Sequence, residues 1–176
     1  MTWMLDGPGG AAVIRAVQAE TLQNESVSLR LLLDASATHA AASALRVSLR
    51  DGADGATPHR HHHSSELFYV LDGSIELLAG DTVLHATQGD LVVVPPELPH
   101  AFAATHGHHG QLLIVITPGV ERFEYFRHLA RIAQGHATPE SLLDVQDRYD
   151  THFLRSPAWL EARQARSTPP PDQRAP

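Results

Sequence analysis

The chain contains no cysteine among its 176 residues. This absence excludes disulfides, thiolate metal ligands and cysteine nucleophiles, so any transition-metal site must be built from histidine, aspartate and glutamate. Positive charge is also scarce, because 13 Lys and Arg residues stand against 20 Asp and Glu residues and give a formal net charge of −7. A nucleic-acid-binding surface is therefore not expected.

Long apolar runs are missing as well. No stretch approaches the roughly 18 consecutive apolar residues that predict a membrane-spanning helix, so no membrane span is expected. The first residues lack the basic segment of a signal peptide, and we expect a cytoplasmic protein. Apolar residues nevertheless make up 43% of the chain, and its length suffices for one globular domain with a hydrophobic core.

Short apolar segments separated by turns predict an antiparallel β domain. The clearest is Ser43–Arg50, where Leu45, Val47 and Leu49 alternate with more polar residues, as in a strand with one buried face. Other predicted strands are Ser28–Asp34, Leu67–Leu71, Ile75–Leu78, Thr82–Ala86, Leu91–Val94, His100–Ala103 and Leu112–Thr117. Many short strands with turns between them indicate an all-β sandwich or barrel.

Helical signals begin after these strands. Apolar residues recur at helical spacing over Glu121–Gln134. Two further helices are expected after Thr138 and Ser156, because each is an N-cap residue followed by proline, which suits the first helical position. We divide the chain into an N-terminal extension (1–27), a β-barrel (28–118), C-terminal helices packing on the barrel (119–166) and a disordered, proline-rich tail (167–176).

A histidine-rich segment is the main candidate for chemistry. His59 and His61 have the same parity, so in an extended chain their rings point to one side and can converge on one ion. Glu66 follows after a turn and can face the same cavity, and His100 comes from a distant part of the chain just after a proline turn. Three imidazoles and one carboxylate suit one divalent transition ion, such as Fe, Mn, Co, Ni, Cu or Zn.

The remaining histidines are weaker candidates. His62 has the wrong parity for this site. His63 shares the parity, but three converging imidazoles would require a bent strand, and we assign it to a loop or to the surroundings of the site. The three histidines of the loop Thr105–Gly110 are interpreted as surface residues; they are His106, His108 and His109.

These residues resemble the two sequence motifs of the cupin superfamily. The first motif is matched by His59, His61, Glu66 and Gly73, and the second by Gly89, Pro95 and His100. Two positions depart from the second motif: Glu97 replaces the glycine that follows the proline, and Ala104 replaces the terminal asparagine. The departure at Glu97 affects the geometry of the turn, and the departure at Ala104 affects a hydrogen bond near the site. Neither departure changes a candidate ligand.

The resemblance implies a jelly-roll type antiparallel β-barrel of six to eight strands with the metal inside, a short C-terminal helical appendage, and a homodimer. Similarity to single-domain quercetinase-like enzymes implies a dioxygenase that acts on a small enolic, phenolic or diketone substrate bound directly to the metal. Glu66 would then serve as both ligand and catalytic base, with dioxygen as the second substrate.

Two other functions remain open. The same site would serve a metal-dependent isomerase, cyclase or lyase acting on an enolisable small molecule, and a non-catalytic small-molecule-binding cupin is the third possibility. Phe68 and Phe102 each lie two residues beyond a candidate ligand, on the ligand's face. They either line a substrate pocket or fill the barrel core.

Overall fold

In a computed structural model that describes residues 11–165, the chain forms a jelly roll of two antiparallel β-sheets followed by short helices. The predicted disordered tail lies outside the described residues. The ten strands are β1 (Glu20–Gln23), β2 (Val27–Leu33), β3 (Ser43–Leu49), β4 (His59–Arg60), β5 (Ser65–Ala79), β6 (Thr82–Thr87), β7 (Leu91–Val94), β8 (His100–Ala104), β9 (Gly110–Thr117) and β10 (His152–Phe153).

One sheet has the strand order β1-β2-β3-β9-β5-β7, and the other has the order β10-β4-β8-β5-β6. The hydrogen-bonded path does not close on itself within the described residues, so the predicted barrel is open and its two sheets share β5. The inner faces of both sheets contribute to one apolar core, with Val47 and Ile114 from the first sheet and Leu77 from the second. The alternation predicted for β3 is confirmed, because its buried and partly buried residues strictly alternate.

The long strand β5 joins the two sheets. Its first half pairs with β9 and β7, and its second half pairs with β8 and β6. The sequence predicted two strands separated by a turn at Gly73, but pairing with β9 continues to Gly73, so the strand bends without leaving the sheet. Gly73 has φ +74, and a Cβ there would lie 2.1 Å from the carbonyl oxygen of His109. Only glycine fits this close approach.

The helical elements are α1 (Phe123–Ala133), α2 (Gln146–Tyr149), α3 (Pro157–Gln164) and two 3-10 helices, Ala35–Thr38 and Pro139–Val145. The single helix expected after Thr138 is thus a 3-10 segment followed by one α-turn. None of the helices in residues 11–165 is long and apolar enough to cross a membrane.

Two contacts attach the helices to the sheets, and a third joins the helices to one another. The carboxylate of Asp34 accepts hydrogen bonds from the backbone N–H groups of Arg122 and Phe123, which fixes the start of α1 at the end of β2. Tyr125 of α1 packs with Leu142 and Tyr149. On the outer face of the second sheet, Trp159 of α3 covers a buried cluster formed by Leu78, Ala101 and Ala103.

Candidate metal centre

The four candidate ligands lie together inside the jelly roll. One ligand atom from each of His59, His61, Glu66 and His100 lies within 4.8 Å of the other three, and all four residues are buried. The Nε2 atoms of His61 and His100 are each 2.8 Å from Oε2 of Glu66, and Nε2 of His59 is 3.9 Å from the same oxygen. The fold therefore brings together the residues that the sequence pattern singled out.

Short strands position these side chains. His59 and His100 face each other as the paired residues of β4 and β8, and their ring centroids are 4.2 Å apart. His61 lies just beyond the two-residue strand β4, and Glu66 is the second residue of β5. The cluster is thus assembled where β4, β5 and β8 meet, and its geometry depends on how these strands pair.

Backbone carbonyls set the tautomers of the imidazoles. Nδ1 of His59 is 2.8 Å from the carbonyl oxygen of Thr57, and Nδ1 of His100 is 2.9 Å from that of Leu98. A carbonyl oxygen only accepts, so each Nδ1 carries the proton that it donates, and each neutral ring turns the lone pair of Nε2 toward Glu66. Metal-ligating histidines are commonly oriented by hydrogen bonds of this kind.

This donor set fits a divalent transition ion. The Nε2 lone pair of His100 and the carboxylate of Glu66 are both acceptors, and two acceptors 2.8 Å apart attract each other only through a shared proton or cation. Three neutral imidazoles and one carboxylate are typical ligands of such ions. The residues present therefore fit the metal that the cupin resemblance implies.

The electrostatics of the cluster favour a neutral imidazole beside a carboxylate. Burial, together with the neighbouring imidazoles of His100 and His61, lowers the pKa of His59 well below its ordinary value. Burial opposes ionisation of Glu66, but the hydrogen bonds that His100 and His61 donate to it when their rings are protonated outweigh this effect and hold the pKa of this carboxyl well below its usual range. The two shifts leave His59 neutral and Glu66 ionised, which are the protonation states that metal binding requires.

Two residues that the sequence did not single out support the cluster. The carboxylate of Asp150 accepts hydrogen bonds from the backbone N–H groups of the three residues after His61, which are His62, His63 and Ser64. The carbonyl oxygen of Asp150 accepts from Nδ1 of His61 and from Nη2 of Arg122. Asp150 thereby holds the ligand loop through both its side chain and its backbone. No local pattern marks it, because it lies almost 90 positions away in sequence.

The other histidines of the segment face away from the cluster. The ring of His62 contacts that of His152 at a tilt, with centroids 3.8 Å apart, and its Nδ1 is 2.5 Å from Glu97. His63 is exposed. Glu97 has φ +68, the left-handed conformation that glycine adopts most easily, so the turn persists although the motif's glycine is replaced. The backbone N–H of Glu97 also donates to the carbonyl oxygen of His61 at 2.7 Å.

A cavity of about 690 Å³ adjoins the cluster, and His59 and Glu66 form part of its wall. Apolar side chains of the first sheet, α1 and the following 3-10 helix supply most of the lining, among them Leu29, Val47, Ile114, Phe126, Leu129 and Leu142. A largely apolar cavity of this size is typical of small-molecule sites.

The two phenylalanines of the sequence-based site differ in position. Phe102 borders the cavity. Phe68 does not line it and is buried, with its ring centroid 5.6 Å from that of Phe102 and 6.1 Å from that of His100. Phe68 thus packs behind the cavity wall as part of the core.

Comparisons with known proteins agree with this fold. Residues 45–116 match the family described as "Cupin domain". A comparison with curated proteins found no match.

Similar solved structures share the fold at low sequence identity. A predicted oxalate decarboxylase from Thermotoga maritima has 22% identity and a TM-score of 0.54, covering 60% of this chain and 98% of its own. The polyketide cyclase RemF from Streptomyces resistomycificus has 17% identity and a TM-score of 0.52, covering 61% and 80%. The nucleoside dehydratase Pac13 from Streptomyces has 17% identity and a TM-score of 0.50, covering 61% and 82%.

Proposed function

We propose, from the match of residues 45–116 to the cupin domain family and from the geometry of the site, that this chain is a metal-dependent enzyme acting on a small, largely apolar molecule. His59, His61, Glu66 and His100 would hold one divalent transition ion. The observation that carries the proposal is the position of Glu66, which belongs to the ligand cluster and also borders the apolar cavity. A substrate in that cavity therefore lies next to the ion and next to a carboxylate.

The residues of the chain suit deprotonation of an enol, phenol or diketone. A bound ion would supply Lewis-acid polarisation of a substrate oxygen. Glu66 accepts the acidic O–H or C–H proton of the substrate, since it is the carboxylate of the cluster that borders the cavity. The apolar wall around Phe102 and Val47 excludes water and strengthens the electrostatic interactions at the reacting atoms.

We propose a dioxygenase as the first reaction class, in which both atoms of dioxygen enter the deprotonated organic substrate. The second is a non-redox cyclase, isomerase or lyase, in which the proton held by Glu66 returns to another position or leaves with a departing group. The names of the similar structures, a polyketide cyclase and a nucleoside dehydratase, favour this second class. The same residues serve both classes, because they differ only in the need for dioxygen.

An oxygen electrode separates the two classes. We expect the metal-loaded protein to consume about one dioxygen per flavonol or β-diketone converted if it is a dioxygenase. Conversion of the same flavonols or β-diketones at an unchanged rate without oxygen would assign the protein to the non-redox class. No conversion of any flavonol, phenol or diketone, with or without oxygen, would contradict the proposed enzyme.

The homodimer implied by the resemblance stays a prediction. Its most suitable surface is the edge strand β7, where Leu91 and Val93 are more than half exposed. Tyr69 of β5 is 41% exposed and pairs with Leu91. Exposed apolar residues along an open strand edge are typical of surfaces that pair with another chain.

A further inference from the structure

A buried arginine without an ionic partner lies beside the candidate metal centre. Arg122 is 5% exposed, and no ion pair joins its guanidinium to a carboxylate within residues 11–165. Nε donates to the carbonyl oxygen of Tyr149 at 3.1 Å, and Nη2 donates to that of Asp150 at 3.0 Å. Nη2 also lies 2.9 Å from Nδ1 of His61. A buried charge whose hydrogen bonds go only to neutral groups is costly, because no carboxylate is in direct contact with it.

One side of this guanidinium is open to the cavity. Arg122 borders the cavity, and its Nη1 has no hydrogen-bond partner among the described residues. Nε and Nη2 are both occupied, so the two N–H groups of Nη1 are the donors left for a ligand. A guanidinium presented in this way is suited to a carboxylate or another oxyanion.

Tyr125, in the first turn of α1, supplies a second donor. It lies three positions after Arg122, which is the residue that precedes α1, and both residues border the cavity. Its hydroxyl forms no hydrogen bond within the described part of the chain, although the residue is 8% exposed. Burial raises the pKa of Tyr125 to about 12, so the phenol stays neutral and keeps its proton.

No acidic residue elsewhere along the wall is in direct contact with this pair of donors. Asp54 and Glu140 border the cavity but are exposed, and Asp54 pairs with Arg163. Glu66 is bound to His61 and His100. The positive group therefore faces a cavity whose remaining lining is mainly apolar.

We propose that Arg122 and Tyr125 form an anion-binding wall and that the substrate is an apolar molecule carrying a carboxylate or an equivalent oxyanion. Nη1 of Arg122 and the hydroxyl of Tyr125 bind the anionic oxygens, while the apolar body fills the rest of the cavity. Binding by both groups fixes the end of the substrate that approaches Glu66. This inference rests on the proposed function, since it takes the same cavity as the substrate site.

The test uses two probes of equal shape, 2-naphthoate and 2-naphthamide, titrated calorimetrically into the full chain with and without prior chelation of metal. We expect the wild type to bind the acid at least about 10-fold more tightly than the amide in both states, because charge-assisted hydrogen bonds act only on the acid. Arg122→Gln should remove this preference. Tyr125→Phe should weaken the acid about 3-fold or more and leave the amide unchanged.

Arg131→Gln is the matched control, because Arg131 is an exposed arginine of α1, the helix that Arg122 precedes, and its substitution should leave the preference intact. If Arg122→Gln does not fold, the effect of Tyr125→Phe decides alone. The proposal would be overturned if naphthoate binding does not saturate or if the wild type binds both probes equally. It would also be overturned if chelation removes the preference for the acid, or if that preference is unchanged in both Arg122→Gln and Tyr125→Phe.

This binding measurement is independent of turnover. A protein that prefers the acid but converts no substrate keeps the anion-binding wall and contradicts the proposed enzyme. A protein that converts an enolic substrate but binds both probes equally supports the proposed enzyme and contradicts the anion-binding wall.

Discussion

Replacement of His100 by alanine is expected to abolish metal retention and turnover. His100 supplies one of the three imidazoles of the cluster, and its Nε2 lies 2.8 Å from Glu66. Without it, a bound ion would lose a ligand and Glu66 would lose a hydrogen-bonding partner. We expect less than about 0.1 ion per chain and a fall in kcat/KM of about 10³-fold or more, since a Lewis acid contributes several kcal/mol to catalysis. Elemental analysis and steady-state kinetics measure the two effects.

His63→Ala is the matched control for this substitution. His63 belongs to the same histidine run but is exposed, so its loss should change neither metal content nor rate. Circular dichroism must show that the His100→Ala protein keeps its sheet structure. A folded His100→Ala protein with wild-type metal content and activity would exclude His100 as a ligand.

Asp150→Ala should destabilise the fold and weaken metal binding together. The substitution removes the acceptor of three backbone N–H groups in the ligand loop and places alanine at φ +47, a left-handed conformation. We expect the free energy of unfolding to fall by about 3 kcal/mol or more, because hydrogen bonds to a charged acceptor are lost. Metal affinity should fall about 10- to 100-fold, as it does when groups that orient ligands are removed.

Two variants identify the cause of this effect. Asp150→Asn keeps one acceptor oxygen and tolerates the left-handed conformation, so its losses should be smaller than those of alanine. Asp147→Ala removes a nearby carboxylate whose side chain is fully exposed, and it should be neutral. Urea denaturation and a competitive metal titration provide the readouts. Equal stability of the Asp150→Ala, Asp147→Ala and wild-type proteins would show that Asp150 does not hold the loop.

The candidate ligands were predictable because their signals are local or tied to motifs. Parity alone separates His59 and His61 from His62, and the structure places His62 outside the cluster, in contact with His152. The position of Glu66 follows from its fixed spacing to His61. The alternation in Ser43–Leu49 likewise predicted the buried face of β3, because one side of that strand meets the core.

Parity could not tell whether Phe68 and Phe102 line the pocket or fill the core, because it predicts the face of a strand on which a side chain lies but not how deeply that side chain is buried. Both residues point inward, yet only Phe102 reaches the cavity. Turn chemistry was similarly ambiguous at Gly73, where glycine marks a bend within one strand and not the end of a strand.

The anchoring residues were beyond sequence reasoning for another reason. Asp150 lies 89 positions from His61 and accepts a hydrogen bond from its ring, and Arg122, 61 positions from His61, contacts the same ring and donates to the same carbonyl oxygen. These contacts require the folded C-terminal segment to lie against the ligand loop. Neither residue is part of a periodic pattern or a motif in this chain. Their roles arise only when β10 pairs with β4 and brings that segment to the site.

The metal content of the purified wild-type chain tests the central claim most directly. After growth in metal-replete medium, elemental analysis should find about one transition-metal ion per chain, because one set of four ligands holds one ion. The same analysis of His100→Ala should find almost none. A folded wild-type protein with no transition metal, which also fails to bind Zn²⁺, Fe²⁺, Mn²⁺, Co²⁺, Ni²⁺ or Cu²⁺ on titration, would contradict the assignment of His59, His61, Glu66 and His100 as a metal centre.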